Sequence, residues 1–425
     1  MKLPYGEAFR DVEPIPGTRT LLPNTARPAA PERDILLAAL ERPVGSAPLR
    51  DLARGRRSAI VLISCRTRRT GSHRFVPLIR ATLNEAGIPD DRILVYTATG
   101  THDNWRDADA PLLLGDAAGR VEARGHDCRT EAGLAEVGTT SFGNRVRLSR
   151  AYLDADLKIA TGRVTHHYFA GFTAGPKAVL PGVAALDTIL ANHRRTVLLD
   201  GARADLNPAT RGGNLDGNPV HEEMVEAMRM APPDFSLLTV LNAENEVTHA
   251  FGGETLEAHR RAVLVVRETD APAIDAPADL VLLSPGGAPL DVNVIQALKA
   301  LVNTEDAVRP GGAVVFAAEC AEGAPDWLLE AAAIEDEAEL ARRIAAGSVR
   351  QGHNALWIHR LRRRAHIVMV TRLGDAAVRA LGFHKAGDLG DAIALAERLA
   401  GRAQSAFAIP YGNITRVRVR NAAGR

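Results

Sequence analysis

Seven short apolar runs punctuate the chain: AIVLIS (59–64), ILVYTA (93–98), LKIAT (157–161), AVLVV (262–266), LVLLS (280–284), AVVFAA (313–318) and IVMVT (367–371). Several are apolar throughout, without alternation, as expected of strands covered on both faces of a parallel sheet. Between the first two, FVPLIRATLNEAG (75–87) carries helical periodicity and ends on a glycine. The rhythm predicts an α/β fold of two domains, each a mainly parallel sheet flanked by helices and doubly wound, with helices on both faces. LTVLNAENEVTHAFGG (238–253) reads as a strand, a turn and a second strand. The strand–helix rhythm restarts near residue 260, which places an N-terminal domain over 1–260 and a C-terminal domain over 261–425. The first 50 or so residues, rich in proline and arginine, read as an irregular lead-in. Residues 200–220, dense in Gly, Asn, Asp and Pro, read as a long loop. In such folds chemistry gathers at the carboxyl ends of strands and in the cleft between domains, so the active site is expected there.

Composition narrows the setting. A chain of 425 residues is too long for one ordinary core. Basic and acidic residues nearly cancel, 52 against 51, so the totals favour no nucleic acid or other polyanion as partner. Arg66, Arg68, Arg69 and Arg74 nevertheless cluster in one short segment. Cys65, Cys128 and Cys320 form an odd set without metal-type spacing, which disfavours a disulfide framework. No stretch approaches the roughly 18 consecutive apolar residues of a membrane helix, and the start MKLPYGEAFRDVEP has no apolar signal-peptide run. A cytoplasmic protein without a membrane partner is expected.

Four segments carry candidate chemistry. ISCRTRRTG (63–71) follows a predicted buried strand, and its backbone donors, Thr67 and Arg68 suit a phosphate or carboxylate. In YTATGTHDNW (96–105), Gly100 permits a sharp exit from a strand and places His102 as a general base or metal ligand. ATGRVTHHYFAGFTAGPKAVLPG (160–182) runs from a strand through two histidines into a glycine-punctuated loop ending in Lys177, with His193 following in LANHRR. That lysine lacks the spacing of a phosphate-binding P-loop. In an apolar loop its pKa falls, which suits covalent bonding to a carbonyl-derived group. His193 offers an imidazole to nickel, copper, iron or zinc. In PLDVNVIQALKALVN (289–303), Asp291 is a candidate helix N-cap, and Gln296 and Lys299 share one helical face.

Taken in order, these features resemble the lactate racemase family of nickel-pincer-nucleotide enzymes over most of the chain. The matching segments are LPYG, LERPVGSAPLRDL (40–52), the post-strand arginines, TGTH, HYFAGF…GPKAVLPG, the Asn192–His193 pair, DGNPVHEE (216–223) and PLD…QALK. The resemblance implies a racemase or epimerase that inverts C2 of a small 2-hydroxy acid. It implies Lys177 as the covalent attachment point of the nickel-pincer nucleotide and His193 as the ligand completing the metal's coordination. His102 and His167 become paired acid/bases on opposite faces of the substrate. Cys65, Arg66, Thr67 and Arg68 would bind the cofactor, while Arg68, Gln296 and Lys299 would bind the substrate.

In the implied chemistry a base takes the hydroxyl proton while the cofactor accepts hydride, and return of hydride to the other face inverts the centre. Partners implied are the small-molecule substrate and cofactor-synthesis proteins. The chain departs from the family pattern at Cys65, where Asp-x-Thr-Arg is usual, at Ala174–Pro176 before the lysine, and at His166, where proline is common. His167 is chosen over His166 because it directly precedes YFAGF. The same cofactor would also serve a C2 epimerase of an aldonic acid or a malate-type racemase. Readings outside the class are a zinc hydrolase built on His102, His167 and His193, and a nucleotide binder without turnover.

Overall fold

The computed structural model describes residues 1–68, 70–102, 105–201 and 203–420. Arg69 of the arginine segment, and Asp103 and Asn104 beside His102, lie outside these residues. Most of the apolar runs become largely buried strands, and they occupy the middles of two six-stranded sheets. The first sheet has the order Val247–Gly253, Phe235–Leu241, Leu157–Arg163, Ala59–Ser64, Ile93–Ala98, Glu122–Gly125. It is parallel except for Val247–Gly253, which returns antiparallel beside Phe235–Leu241, the strand–turn–strand expected at 238–253. The second sheet has the order His384–Ala386, Ala365–Val370, Val308–Ala317, Ala278–Leu283, Ala406–Ile409, Arg19–Thr20, all parallel. Helices flank both sheets, and one buried apolar cluster runs from Leu62 and Phe169 to Leu298 and Phe316, joining the two halves. The two-domain α/β architecture is therefore present.

Four local expectations are corrected. AVLVV lies inside the helix Thr255–Thr269, not in a strand. Ala258, Ala262, Val263 and Val266 are buried at helical spacing while Leu264 points outward, 56% exposed. Glu254 caps the helix by accepting from the Glu257 backbone N–H, and this local start signal outweighs the β-branched composition. The first 50 residues are not irregular throughout. They hold the hairpin Lys2–Tyr5/Ala8–Asp11, the second-sheet strand Arg19–Thr20 and the helices Glu32–Glu41 and Leu49–Ala53. The 200–220 segment opens with the return strand Arg203–Leu206 of a hairpin with Val197–Asp200. Asp291 does not cap the helix of QALK, which spans Val294–Asn303 and is capped by Asn293 accepting from Gln296 N–H at 3.1 Å. Asp291 is instead buried and accepts from the Gly6 and Glu319 backbones at 2.8 and 3.2 Å.

The helix Thr255–Thr269 crosses the boundary expected near 260 and packs on the first sheet. The chain thus enters the second sheet at Arg19–Thr20, builds the first sheet, and returns to the second from Ala278 onward.

Candidate active site

The carboxyl ends of strands from both sheets open into one cavity of about 550 Å3. Cys65 follows Ala59–Ser64, Thr99 to His102 follow Ile93–Ala98, and Thr165 to His167 follow Leu157–Arg163. From the second sheet come Gly286 after Ala278–Leu283, and Tyr411 and Asn413 after Ala406–Ile409. This is the crevice that parallel sheets leave beyond their carboxyl ends. Cys65, Thr67, Arg68, His102, His167, Lys177, His193, Gln296 and Lys299 all line it. Arg66 is the exception: its Nη2 reaches Glu322 Oε1 at 3.1 Å, an ion pair between the two domains at the rim.

His102 sits on a turn made by its own N–H donating to the Thr99 carbonyl at 3.0 Å. Gly100 within that turn has φ +57°, and a Cβ there would come 3.3 Å from Pro181, so the tight exit favours glycine. Nδ1 of His102 lies 3.4 Å from Cys65 Sγ and 3.3 Å from Thr67 Oγ1. His167 is held differently. Its Nδ1 accepts the Ala170 backbone N–H at 3.2 Å, so the neutral ring carries its proton on Nε2. Tyr168 stacks on the ring at 5.1 Å and Phe169 meets it edge-on at 4.5 Å. Burial pushes both histidines well below the ordinary histidine pKa, and Arg68, Lys177, Lys299 and His193 push in the same direction. His166 also lines the cavity, but its ring lies against Phe172 at 4.9 Å and its buried ring nitrogens make no well-formed hydrogen bond.

Lys177 projects from the short turn Gly175–Ala178. Gly175 has φ +57°, and a Cβ there would strike the His259 ring at 2.8 Å; that ring donates its Nε2–H to the Thr173 carbonyl at 3.0 Å. Lys177 Nζ stands 5.6 Å from the centre of the Phe169 ring. Burial, then Arg68, pushes its pKa down to about 7. His193 lies on the helix Leu186–Arg194, with its ring 5.0 Å from that of Phe169. Its Nδ1 is buried and makes no well-formed hydrogen bond. Burial, then Lys177 and His353, pushes its pKa to about 3, against a small opposing pull from the Ile189 carbonyl.

The second domain closes the site through Val294–Asn303. Gln296 Oε1 accepts from Lys299 Nζ at 2.6 Å and from Arg68 Nη1, across the cleft, at 3.0 Å. Burial, then Arg68 and Lys177, holds the Lys299 amine well below its ordinary pKa. Among the described residues the lining carries Arg68, Arg163, Lys177, Lys299 and Arg350 against one carboxylate, Glu322. A chain of near-zero net charge has thus concentrated positive charge in its cavity, and the occupant that relieves it is anionic.

Sequence reasoning missed several lining residues. His353, at the start of the helix His353–Arg364, has its ring 6.4 Å from that of His193 and its Nε2 3.5 Å from the Tyr168 hydroxyl. Trp327, Arg350, Gln351, Tyr411 and Asn413 also border the cavity. The IPYGN segment (409–413) carried a usable signal, since it directly follows a predicted-type apolar strand. RQGHN (350–354) carried only a weak one, a polar cluster before a helix.

Comparison with known proteins gives a consistent picture. Residues 5–205 match the lactate racemase N-terminal domain and residues 274–416 the lactate racemase C-terminal domain. The chain is 30% identical over 392 residues to the lactate racemase of Thermoanaerobacterium thermosaccharolyticum, covering 90% of this chain and 89% of that protein. It is 32% identical over 294 residues to the lactate racemase of Lactiplantibacillus plantarum, covering 69% and 67%. The structure of the lactate racemase apoprotein from T. thermosaccharolyticum superposes with a TM-score of 0.84 at 27% identity, over 98% of this chain and 99% of that one. A Thermotoga maritima protein of 18% identity shares the fold, with a TM-score of 0.67 over 88% and 96%.

Proposed function

The chain belongs to the lactate racemase family, whose members are isomerases, and from that premise we propose that it inverts C2 of a 2-hydroxy acid with the aid of a nickel-pincer nucleotide. The observation that carries this reading is the carboxylate-poor, cation-rich cavity, with His102 and His167 on its walls and Arg68 and Lys299 converging on Gln296. A substrate carboxylate would take the place of the amide oxygen between these two cations, gripped by the guanidinium and the ammonium.

The residues fit the cofactor. Lys177 offers a buried amine with a pKa of about 7, a nucleophile at neutral pH. His193 offers a neutral imidazole with an unpartnered buried Nδ1. Among the described residues no group of three or more His, Cys, Asp or Glu side chains is arranged to hold a metal ion. That argues against a three-histidine zinc site and suits a metal that arrives with most of its ligands. When bound, the cofactor supplies the redox half of the inversion, taking up the C2 hydrogen with its electron pair and giving it back.

The protein's own residues do the rest. Arg68, Gln296 and Lys299 fix the carboxylate so that C2 keeps its place while its configuration changes. His102 takes the hydroxyl proton on one side. On the other side His167, with its proton on Nε2, faces the substrate oxygen as a donor. The aromatic wall of Tyr168 and Phe169 excludes water from the reacting centre. Cofactor-synthesis proteins load the enzyme, and the reaction is assigned to the cytoplasm. No helix among the described residues is long and apolar enough to cross a membrane.

The test is a panel of chiral lactate, malate, longer 2-hydroxy acids and aldonic acids offered to cofactor-loaded protein, followed by chiral chromatography. Inversion of at least one acid, abolished in Lys177→Ala, is expected. Absence of inversion across the panel, with a nickel-bearing adduct confirmed by intact mass, overturns the reading.

A further inference from the structure

His102 is badly placed to hold a proton by itself. Burial first, and then the Arg68 guanidinium with smaller contributions from Lys299, Lys177 and His193, disfavour an imidazolium there and keep its pKa low. Behind the ring, Nδ1 meets Cys65 Sγ at 3.4 Å and Thr67 Oγ1 at 3.3 Å, and these two atoms are 3.0 Å apart. Arg68 Nη1 donates to Thr67 Oγ1 at 3.1 Å, so the hydroxyl's own proton is turned toward the sulfur or the ring. Of the two side chains that meet Nδ1, only the Cys65 sulfur has a deprotonated form, a thiolate, suited to accept a proton from the ring.

We propose that Cys65 acts through His102, its sulfur accepting the Nδ1 proton so that thiolate and imidazole work as one base. As Nε2 takes the substrate hydroxyl proton, the O–H bond breaks and Nε2–H forms, while Nδ1–H breaks and S–H forms. The ring stays neutral throughout. The negative charge leaves sulfur and appears on the substrate oxygen, which readies C2 to give up its hydrogen with the electron pair to the hydride-accepting pyridinium that the proposed cofactor would supply. The reverse sequence restores the thiolate. Thr67 steadies the sulfur, and Arg68 lies one hydrogen bond behind Thr67. A carboxylate is usual at this position in the family, and a thiolate keeps an anion there. The inference rests on the racemase reading for the identity of the proton donor.

Two experiments test it. The first uses ligand-free protein, alkylated with iodoacetamide from pH 6 to 9 and read by peptide mass. Cys65 should react faster than Cys128 and Cys320, which are buried with thiols pushed up, Cys320 to about 12. His102→Gln should slow Cys65 severalfold and move its pH profile. The second uses cofactor-loaded Cys65→Ala, Cys65→Ser and Cys65→Asp. Alanine and serine should lower kcat about 100-fold with KM little changed, aspartate should restore most of the rate, and the adduct mass should be the same in all three. A serine variant as fast as the parent, an alanine variant with full turnover, or Cys65 alkylation indifferent to His102 overturns the proposal. The alkylation experiment needs no cofactor or substrate. A failed substrate panel with intact Cys65–His102 coupling therefore discards the racemase reading alone.

Discussion

The Lys177 amine, pushed to a pKa of about 7, is half neutral near physiological pH. Only the neutral amine attacks, so the rate of cofactor attachment should rise as pH climbs through about 7 and level off above it. Time-resolved intact mass between pH 6 and 9 measures this, and a flat profile would show that another step limits attachment. Lys177→Ala should lose both adduct and turnover. His102→Ala and His167→Ala should keep the adduct while kcat falls by about 100-fold or more; unchanged rates would remove them from the reaction. At this scale the sequence was unusually informative. Lys177 and His193 lie on one glycine-punctuated stretch and the helix that follows it, so local spacing revealed them. His353 and Tyr411 did not stand out, because their meaning lies in contacts across the cleft that no local periodicity encodes.

Among the elements, the helix Val294–Asn303 has the most to lose. Gln296 and Lys299 lie in its first two turns, directly above the Asn293 cap. Asn293→Ala should cost about 1 kcal/mol in denaturant unfolding. It should also raise KM more than it lowers kcat, because the carboxylate grip loosens while the histidines stay in place. A change confined to stability would separate the cap from substrate binding. The six central strands that the apolar runs marked were legible because burial on two faces favours apolar residues throughout, whereas Glu122–Gly125, His384–Ala386 and Ala406–Ile409 were not read from the sequence. AVLVV escaped that logic: a helix with a strongly buried face also yields apolar neighbours, and its Glu254 cap lay upstream of the run. The lead-in was misjudged because its strands are short and borrow their pairing from residues far along the chain.

For the molecule as a whole, Asp270 marks the junction between the halves. Its Oδ1 accepts from the Asn24 backbone at 3.2 Å and from the Thr269 hydroxyl at 2.9 Å, and its carbonyl accepts from Arg416 N–H at 2.9 Å. Burial raises its pKa from 3.8 to about 6, with Arg163 opposing. The folded state therefore holds this proton more tightly than the unfolded chain. Stability from this group is fully present below about pH 4 and is lost as pH rises through about 6. Asp270→Asn should gain up to about 3 kcal/mol over the parent at pH 8 and little at pH 4, measured by urea unfolding at both. An equal effect at both pH values would exclude the carboxyl's titration as the cause.

The pairing of Arg19 with Phe407 also sets a timetable for biosynthesis. The strand Arg19–Thr20 is made well before the strand it joins, Ala406–Ile409, with the whole first sheet translated between them. The first sheet, built from residues between Ala59 and Gly253, is able to assemble while the nascent chain is still growing. The wall bearing Gln296, Lys299, Tyr411 and Asn413 is finished only once residues 406–413 have been made. A chain made only as far as the first sheet therefore carries Lys177 and His193 but lacks the opposite wall, and the chamber becomes whole only after Asn413 has been added.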